Sequence, residues 1–180
     1  MKKIKAVLPT IFEDVKFFEL ESFNDNRGSF KEVYNEEISL MIGGIKFIQD
    51  NESISDYGVL RGLHYQRNPH AQSKLIRVNF GKIQDVIVDL RKESSTYGSW
   101  ESYDISSENN RVLFVPKGFA HGFLVLSNKA IVAYKVDNYY NKDFESGFNY
   151  NDSTLNIKWD LDQKEIIINN KDLSYPKFNK

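Results

Sequence analysis

Cysteine is absent from this sequence of 180 residues, which excludes disulfide bonds, thiolate metal sites and cysteine nucleophiles together. No apolar run approaches the roughly 18–20 residues that a membrane-spanning helix requires. With a net charge of -1, the chain has no global field that would attract nucleic acid or an anionic membrane. Residues 1–5 are basic but lack the apolar run and the cleavage site of a secretory signal. These absences predict a cytoplasmic protein that binds neither nucleic acid nor membranes.

Histidine is also scarce, with three residues at positions 64, 70 and 121. A histidine–carboxylate metal centre needs a close pair of histidines, a nearby carboxylate and a further histidine on a later strand. His64 and His70 are six residues apart and have no glutamate near them, so we predict no metal site. The sequence also lacks a Gly-x-Ser-x-Gly elbow, a phosphate-binding glycine loop and a dinucleotide fingerprint. Hydrolase, kinase and dehydrogenase functions therefore have no support.

Aromatic residues are frequent, at 14% of the total, and they occur in many short apolar segments at regular spacing. Such segments indicate an all-β sandwich, barrel or jelly roll. The predicted strands are residues 11–20, 30–34, 45–51, 59–66, 74–80, 83–90, 100–105, 112–116, 119–126 and 130–136. One short helix is expected, capped by Asn35 and ending at Met41. With 41% hydrophobic residues and no linker, residues 1–180 are expected to form one domain.

Two polar residues lie on apolar faces of the predicted strands. Gly81 and Lys82 separate two strands and predict a β-hairpin; on the first of these strands, Lys74 shares its face with Ile76. Tyr134 alternates with apolar neighbours and is expected to point inward, where its phenol needs a partner and can act as a proton donor. The alternatives are a lysine whose aliphatic chain packs on the strand while its ammonium group reaches water, and a tyrosine that only packs in the core.

Residues 59–66 combine an arginine, a glycine and a histidine within a predicted strand. Strict alternation places Arg61 and His64 on opposite faces, but a bulge at Gly62 would bring them into one cavity. There the imidazole would accept a proton and the guanidinium would hold an anion. The alternative is a half-buried strand histidine beside a surface arginine.

Two further residues are ambiguous when each is considered alone. His121 lies in a turn that enters a strand, where a histidine is more often structural. Asp172 follows two asparagines and a lysine, a sequence typical of a solvated loop in a C-terminal tail. The residue pattern leaves the function of both open.

Several motifs follow one another in order along the chain. They are Asn26-Arg27-Gly28 with Phe30-Lys31-Glu32, Gln49-Asp50-Asn51, Val59-Leu60-Arg61-Gly62-Leu63-His64-Tyr65-Gln66, Gln72-Ser73-Lys74-Leu75-Ile76-Arg77, Asp85-Val86-Ile87-Val88-Asp89-Leu90-Arg91, Pro116-Lys117-Gly118-Phe119-Ala120-His121-Gly122-Phe123, Tyr134-Lys135 and Asn138-Tyr139-Tyr140. Together they resemble the motifs of the dTDP-4-dehydrorhamnose 3,5-epimerases. The resemblance runs from Phe23 to about Asp172, and its ordered motifs make it specific.

The resemblance implies a cupin-type jelly roll, a double-stranded β-helix barrel with a few short helices, that forms a homodimer and binds a dTDP-sugar inside the barrel. It implies an isomerase that inverts C3 and C5 of dTDP-4-dehydro-6-deoxy-D-glucose to give dTDP-4-dehydro-L-rhamnose, a step of dTDP-L-rhamnose and cell-surface polysaccharide biosynthesis. Neither cofactor nor metal is expected. Both carbons flank the C4 ketone, so removal of either proton gives an enolate.

By position, the resemblance makes His64 the general base and Asp172 the group that holds its imidazole in the right tautomer. Tyr134 would deliver a proton to the opposite face of the sugar. Lys74 would stabilise the enolate oxygen, with His121 nearby, as preorganised donors do for a developing anion.

The resemblance assigns the remaining residues to substrate binding. Arg61 and Arg27 would hold the diphosphate. The other binding positions are Glu32, Gln49, Asn51, Tyr140, Glu145 and Lys171, besides Lys74 and His121, and Tyr140 offers a stacking surface. Some nucleotide contacts would come from the partner chain, which makes the dimer necessary for a complete site.

Three alternatives remain. An epimerase of C3 or C5 alone, or of another nucleoside diphosphate 4-ketosugar, would need the same three side chain types. A sugar-nucleotide binding protein without activity would have lost the base or the donor, and both are present. A 3,4-ketoisomerase is disfavoured because it is not expected to carry residues 60–66 together with Lys74. Tyr150 and Asp160 depart from the family pattern, which bears on loop geometry rather than chemistry.

Overall fold

The computed structural model describes residues 3–179. Its strands are β1 (Ile4–Leu8), β2 (Lys16–Leu20), β3 (Phe23–Asp25), β4 (Gly28–Phe30), β5 (Gln49–Asp56), β6 (Leu60–Gln66), β7 (Lys74–Phe80), β8 (Lys82–Asp89), β9 (Trp100–Ser106), β10 (Arg111–Val115), β11 (Phe119–Val125), β12 (Lys129–Val136) and β13 (Glu145–Gly147). Two short helices, α1 (Glu36–Met41) and α2 (Asn170–Leu173), accompany them, with single 3-10 turns at Lys142–Phe144 and Gln163–Glu165.

The strands form two main sheets in which all paired neighbours run antiparallel. The six-stranded sheet has the order β1-β2-β10-β7-β12-β5, and the five-stranded sheet has the order β13-β6-β11-β8-β9. The chain passes repeatedly from one sheet to the other, so that most neighbouring strands are not consecutive in the sequence. This is a cupin-type jelly roll, and the predicted fold is confirmed.

The main core lies between the two sheets. Alternate residues such as Ile76 on β7 and Leu113 on β10 meet Ile87 on β8 and Phe123 on β11 in one cluster, because side chains of a strand alternate between its faces. A second cluster covers the outer face of the five-stranded sheet. In β8 every residue after Lys82 is therefore buried.

The predicted hairpin at Gly81 is wrong. Strand β7 pairs with β10 and β12, whereas β8 pairs with β9 and β11. Gly81, at φ +81, carries the chain across from one sheet to the other. A glycine between two apolar runs is compatible with a hairpin and with such a corner, and only the partners of the two strands decide between them.

Other boundaries differ from the prediction near the N-terminus. The strand expected at 11–20 begins only at Lys16, and the strand expected at 30–34 is replaced by the small β3–β4 hairpin. The strand expected at 45–51 is shifted to β5. The short helix is confirmed, since the Asn35 side chain accepts a hydrogen bond from the amide of Ile38 at 3.0 Å and helix α1 ends at Met41.

Strand β6 contains the predicted bulge. Arg61 pairs with Phe123 and His64 with His121, so three steps along β6 match two steps along β11. The side chains of Arg61 and His64 therefore share one face of the sheet, as predicted. Gly62 has φ +136, and a Cβ atom on it would lie 2.5 Å from the Cα atom of Gly122.

No helix in the described part of the chain is long and apolar enough to cross a membrane.

We expect Gly62→Ala to lower the free energy of unfolding by about 3 kcal/mol, because it combines strain at positive φ with overpacking against a neighbouring backbone. Gly28→Ala is the matched control. Gly28 has φ +124 with nothing within 4 Å of the added Cβ, so this substitution should lower the free energy of unfolding by only about 1 kcal/mol, through conformational strain alone. Urea unfolding of the two variants measures both values. Equal stability of the two variants would show that the close approach of β6 and β11 is unimportant.

Candidate active site

The polar residues of the interior gather at one end of the barrel. His64 lies directly opposite His121 across the β6–β11 pair. Tyr134 on β12 lies opposite Asn51 on β5. Lys74 opens β7, where it pairs with Val136, the second residue after Tyr134. Sheet register thus brings together residues from five strands.

His64 is held by a carboxylate that is far away in the sequence. Its Nε2 atom lies 2.8 Å from Oδ1 of Asp172, and Oδ2 of Asp172 accepts a hydrogen bond from the amide of Gly62 at 3.2 Å. Asp172 is 1% exposed, so the interpretation of this residue as part of a solvated loop is wrong. The resemblance, in contrast, placed it beside His64.

The electrostatics of Asp172 fit an ionised carboxylate. Burial alone would raise its pKa, but the hydrogen bond and charge of His64, together with the Gly62 amide, bring the pKa below its ordinary value. Because Nε2 of His64 donates its hydrogen to Asp172, Nδ1 is the ring nitrogen that is left to accept a proton. The ring edge of Tyr175 borders His64, with centroids 5.7 Å apart.

Lys74, His121 and Asp85 form a second chain of contacts. Nε2 of His121 lies 2.8 Å from Oδ2 of Asp85, and Nδ1 of His121 lies 3.4 Å from Nζ of Lys74. A neutral His121 that donates from Nε2 to Asp85 presents the lone pair of Nδ1 to the ammonium group. The arrangement fixes the direction of the lysine head.

Burial is the main influence on both titratable groups of this chain. It lowers the pKa of Lys74 to about 8, although the charges of Asp85 and Glu145 oppose the shift. It lowers the pKa of His121 as well, again against the charge of Asp85. A cation with few water molecules around it is effective toward a developing oxyanion, because the local dielectric is low.

Tyr134 lies close to this group, with Nζ of Lys74 6.0 Å from the centre of its ring. Burial raises the pKa of Tyr134, and the charge of Arg61 partly offsets the increase. Tyr134 packs against the main core, so the predicted inward orientation is confirmed. A phenol that keeps its proton at neutral pH can donate it.

A polar row on β5 extends the site. Gln49 donates a hydrogen bond from Nε2 to Oδ1 of Asn51 at 2.8 Å, and Nε of Arg61 donates to Oγ of Ser55 at 3.0 Å. Alternation places Gln49, Asn51 and Ser55 on one face of β5. The row leads from Tyr134 to the guanidinium of Arg61.

A third group lies at the rim beside His64. Tyr140 Oη donates to Oε2 of Glu145 at 2.6 Å, and Nζ of Lys171 bonds to the same oxygen at 2.5 Å. Burial alone would raise the pKa of Glu145, but the bonds from Lys171 and Tyr140 lower it below its ordinary value. Since Glu145 belongs to the strand paired with β6, this group and the His64–Asp172 pair are neighbours.

Two predicted binding residues stand apart from the others. Arg27 lies in the β3–β4 turn, pairs with Asp25 and has 85% of its side chain exposed. Glu32 forms an ion pair with Lys3 and accepts a hydrogen bond from Asn35. Within residues 3–179 neither is hydrogen-bonded or ion-paired to another predicted site residue.

His70 contacts Asn141 and the ring of Phe144, and no group of three or more metal-ligating side chains occurs among the described residues.

Asp85 was missed as a site residue. A charged residue inside the apolar run 83–90 was the available signal, because such a residue needs a buried partner.

Comparison with known proteins agrees with this geometry. A family model described as dTDP-4-dehydrorhamnose 3,5-epimerase matches residues 9–180. A Shigella flexneri protein of that name is 44% identical over 96% of this chain and 95% of its own length. The Bacillus anthracis enzyme, solved with TDP and PPi, is 47% identical with a TM-score of 0.91 over 96% of this chain and 99% of that one. The Legionella pneumophila enzyme, solved with dTDP-4-keto-L-rhamnose, is 37% identical with a TM-score of 0.89, covering 97% and 99%.

The fold and these relatives define an isomerase, a carbohydrate epimerase built on a cupin-type jelly roll. More specifically, the chain belongs to the dTDP-4-dehydrorhamnose 3,5-epimerase family, the epimerases of dTDP-rhamnose biosynthesis.

We expect Asp85→Asn to lower the pKa of Lys74 below about 8, since it removes the negative charge that opposes the effect of burial. Titration of the lysine side chains by NMR measures this change directly. Asp104→Asn is a matched control, because Asp104 is a half-exposed aspartate paired with Lys82 on the outer side of the neighbouring strand. An unchanged Lys74 titration in Asp85→Asn would contradict the proposed coupling.

Proposed function

We propose that this protein inverts C3 and C5 of dTDP-4-dehydro-6-deoxy-D-glucose by proton removal and return, with His64 as base and Tyr134 as acid. The observation that carries the proposal is the placement of the His64–Asp172 pair, Lys74 and Tyr134 around the same end of the barrel interior. A base, an enclosed cation and a protonated phenol are the groups that this reaction requires.

In the first half of each inversion, His64 takes the proton from the carbon next to the C4 ketone. The electron pair moves into the carbonyl group and forms an enolate, whose oxygen is stabilised by the ammonium group of Lys74. His121 and Asp85 hold that ammonium in place. Asp172 stabilises the imidazolium that His64 becomes.

In the second half, Tyr134 donates its proton to the opposite face of the same carbon. Each inversion leaves His64 with an extra proton and Tyr134 without one, and exchange with solvent restores both. The raised pKa of Tyr134 keeps the phenol protonated until negative charge develops on the sugar carbon beside it. Donation from the face opposite the base is what converts proton exchange into inversion.

The nucleotide part of the substrate would be bound at the rim. Arg61 supplies the charge for the diphosphate in a chain with a net charge of only -1, and guanidinium groups pair with phosphate oxygens in a bidentate way. Gln49 and Asn51 offer amide groups farther along β5, toward Tyr134. Tyr140, hydrogen-bonded to Glu145, offers a ring on which the base can stack.

We further propose that a homodimer completes the site, with Arg27 and Glu32 acting on the partner's nucleotide. The β3–β4 hairpin that precedes Glu32 is exposed, with Phe30 64% exposed at its end. An exposed aromatic beside a charged turn suits a contact with a second chain. In this proposal residues 1–180 form one catalytic domain that acts in the cytoplasm, consistent with the lack of cysteine.

The proposal is tested by incubation with dTDP-4-dehydro-6-deoxyglucose in heavy water, with deuterium at C3 and C5 followed by NMR. Uptake at both carbons with formation of the L-lyxo product is expected. His64→Ala should abolish uptake and retain dTDP binding, with His70→Ala, which replaces a histidine outside the site, as its control. Tyr134→Phe should reduce inversion at least about 10-fold more than it reduces proton removal.

Other outcomes separate the alternatives. Uptake at one carbon would indicate a mono-epimerase. No uptake would indicate a different sugar nucleotide or a binding protein. Equal loss of uptake and inversion in Tyr134→Phe would remove its role as the donor.

The dimer proposal is tested with heterodimers isolated by two affinity tags, one chain carrying Arg27→Ala and the other His64→Ala. If Arg27 serves the partner's site, one of the two sites is intact, and the heterodimer should show about half of the wild-type rate. Both mutant homodimers should be impaired. A heterodimer as inactive as the homodimers would show that Arg27 acts within its own chain or that the site needs no partner.

A further inference from the structure

The C-terminal segment 169–179 carries Asp172 and is tied to the rest of the chain on both sides of this residue. Before it, Oδ1 of Asn169 accepts a hydrogen bond from the amide of Asp172 at 2.7 Å. After it, Asn149 donates from Nδ2 to the carbonyl of Leu173 and from its backbone to the carbonyl of Pro176, both at 3.0 Å.

Helix α2 itself contributes little to holding Asp172. It is four residues long, and a single turn has no independent stability in water. The position of the carboxylate therefore depends on what fixes the chain around the helix. The Asn169 cap restrains one side, and the last residues of the described chain restrain the other.

The distal restraint is the contact between Phe178 and Asp152. Phe178 is 3% exposed, and its ring lies 5.2 Å from that of Phe148 and 5.5 Å from that of Tyr97. Its amide donates to Oδ2 of Asp152 at 2.8 Å. The last part of the segment is thus held by packing and by a buried hydrogen bond.

Asp152 is suited to this contact because it is itself held rigidly. It is 2% exposed, and its Oδ1 atom accepts from the amides of Thr154 at 2.7 Å and Leu155 at 2.8 Å. Both carboxylate oxygens are therefore hydrogen-bonded. A buried carboxylate with three amide partners is a stable anchor, since each bond to a charged acceptor is stronger than a neutral one.

The anchor connects to the catalytic pair through adjoining residues. Phe148, which receives the Phe178 ring, exchanges backbone hydrogen bonds of 3.0 and 3.3 Å with Leu63. Gly147 pairs with His64. Between the anchor and the helix, Tyr175 lies edge-on to His64 and so close to Gly147 that a Cβ there would be 2.8 Å from the tyrosine ring.

We propose that Asp152 and Phe178 are positioning residues for the His64–Asp172 pair: together they clamp the C-terminal segment so that the Asp172 carboxylate remains on the His64 ring. The proposal rests on the catalytic roles given above to His64 and Asp172. Neither Asp152 nor Phe178 touches the groups proposed to bind the nucleotide. A loosened clamp should therefore slow proton transfer and leave substrate binding intact.

The test compares Asp152→Asn in the wild-type chain and in an Asp172→Asn chain. The asparagine keeps Oδ1 as an acceptor for Thr154 and Leu155 and turns an amide group toward the Phe178 amide. It therefore breaks the anchor bond, and it leaves a neutral acceptor at the turn. We expect kcat to fall about 10-fold, with KM and the Kd for dTDP changed less than about twofold, because small displacements of a catalytic group cost rate rather than binding. In the Asp172→Asn chain the same substitution should cost less than about twofold, since residues that act through one another are not additive.

The matched control is Asp162→Asn, an exposed aspartate that precedes the segment in the sequence and pairs with Lys164; it should have wild-type kinetics. Phe178→Ala provides a second variant that leaves the turn at Asp152 unchanged, and Phe178→Leu should restore most of the lost kcat. Hydrogen exchange of the Gly62 amide, bonded to Asp172, should become faster in Asp152→Asn and Phe178→Ala. All rates are compared at temperatures where circular dichroism shows each variant folded.

The outcomes distinguish this proposal from the one on which it rests. Wild-type kcat in Asp172→Asn would overturn the role of the pair, and the clamp with it. A reduced kcat in Asp172→Asn combined with full additivity, or with wild-type kcat in both Asp152→Asn and Phe178→Ala, would overturn the clamp alone. A rise in KM without a fall in kcat would overturn it too, because the two residues would then act on binding.

Discussion

The carboxylate of Asp172 is the group on which the polar end of the barrel depends. One of its oxygens bonds the ring of His64 and the other bonds the amide of Gly62, so it stabilises both the imidazole and the backbone bulge next to it. A buried carboxylate is costly without such partners. The bulge in turn places Arg61 on the same face as His64. The helix that supplies Asp172 and the strand that receives it therefore stabilise each other, although they lie far apart in the sequence.

A second constraint is the enclosed charge of Lys74. A lysine among apolar barrel residues loses hydration, and burial accordingly lowers its pKa to about 8. The charge of Asp85 opposes this shift. Asp85 also holds the ring of His121, whose Nδ1 atom lies 3.4 Å from the ammonium nitrogen and sets its direction. An aliphatic residue at position 74 would make a more stable core. In the proposed reaction, this cation would stabilise the negative charge that develops on the enolate oxygen.

Much of the strand pattern was predictable because local alternation reports burial on one face. Strands β7, β11 and β12, which carry Lys74, His121 and Tyr134, were predicted to within one residue at each end. The pattern failed where local sequence has two solutions. The glycine turn after β7 marks a crossing between sheets rather than a hairpin, and β8 shows no alternation because both of its faces are covered. The β3–β4 hairpin was missed because each of its strands has only three residues.

The sequence by itself determined the fold class, the family and the types of side chain available for chemistry, because ordered motifs and strand periodicity are local properties that need no coordinates. It also indicated that Gly62 could bulge, since only glycine accepts such a conformation without strain. The tertiary structure alone decided that Asp172 is buried rather than solvated, that Asp85 supports His121, and that Arg27 lies apart from the rest of the site. These facts depend on the pairing of distant strands and on the path of the C-terminal segment. Such long-range contacts follow from packing of the whole chain and leave no periodic signal in the residues that make them.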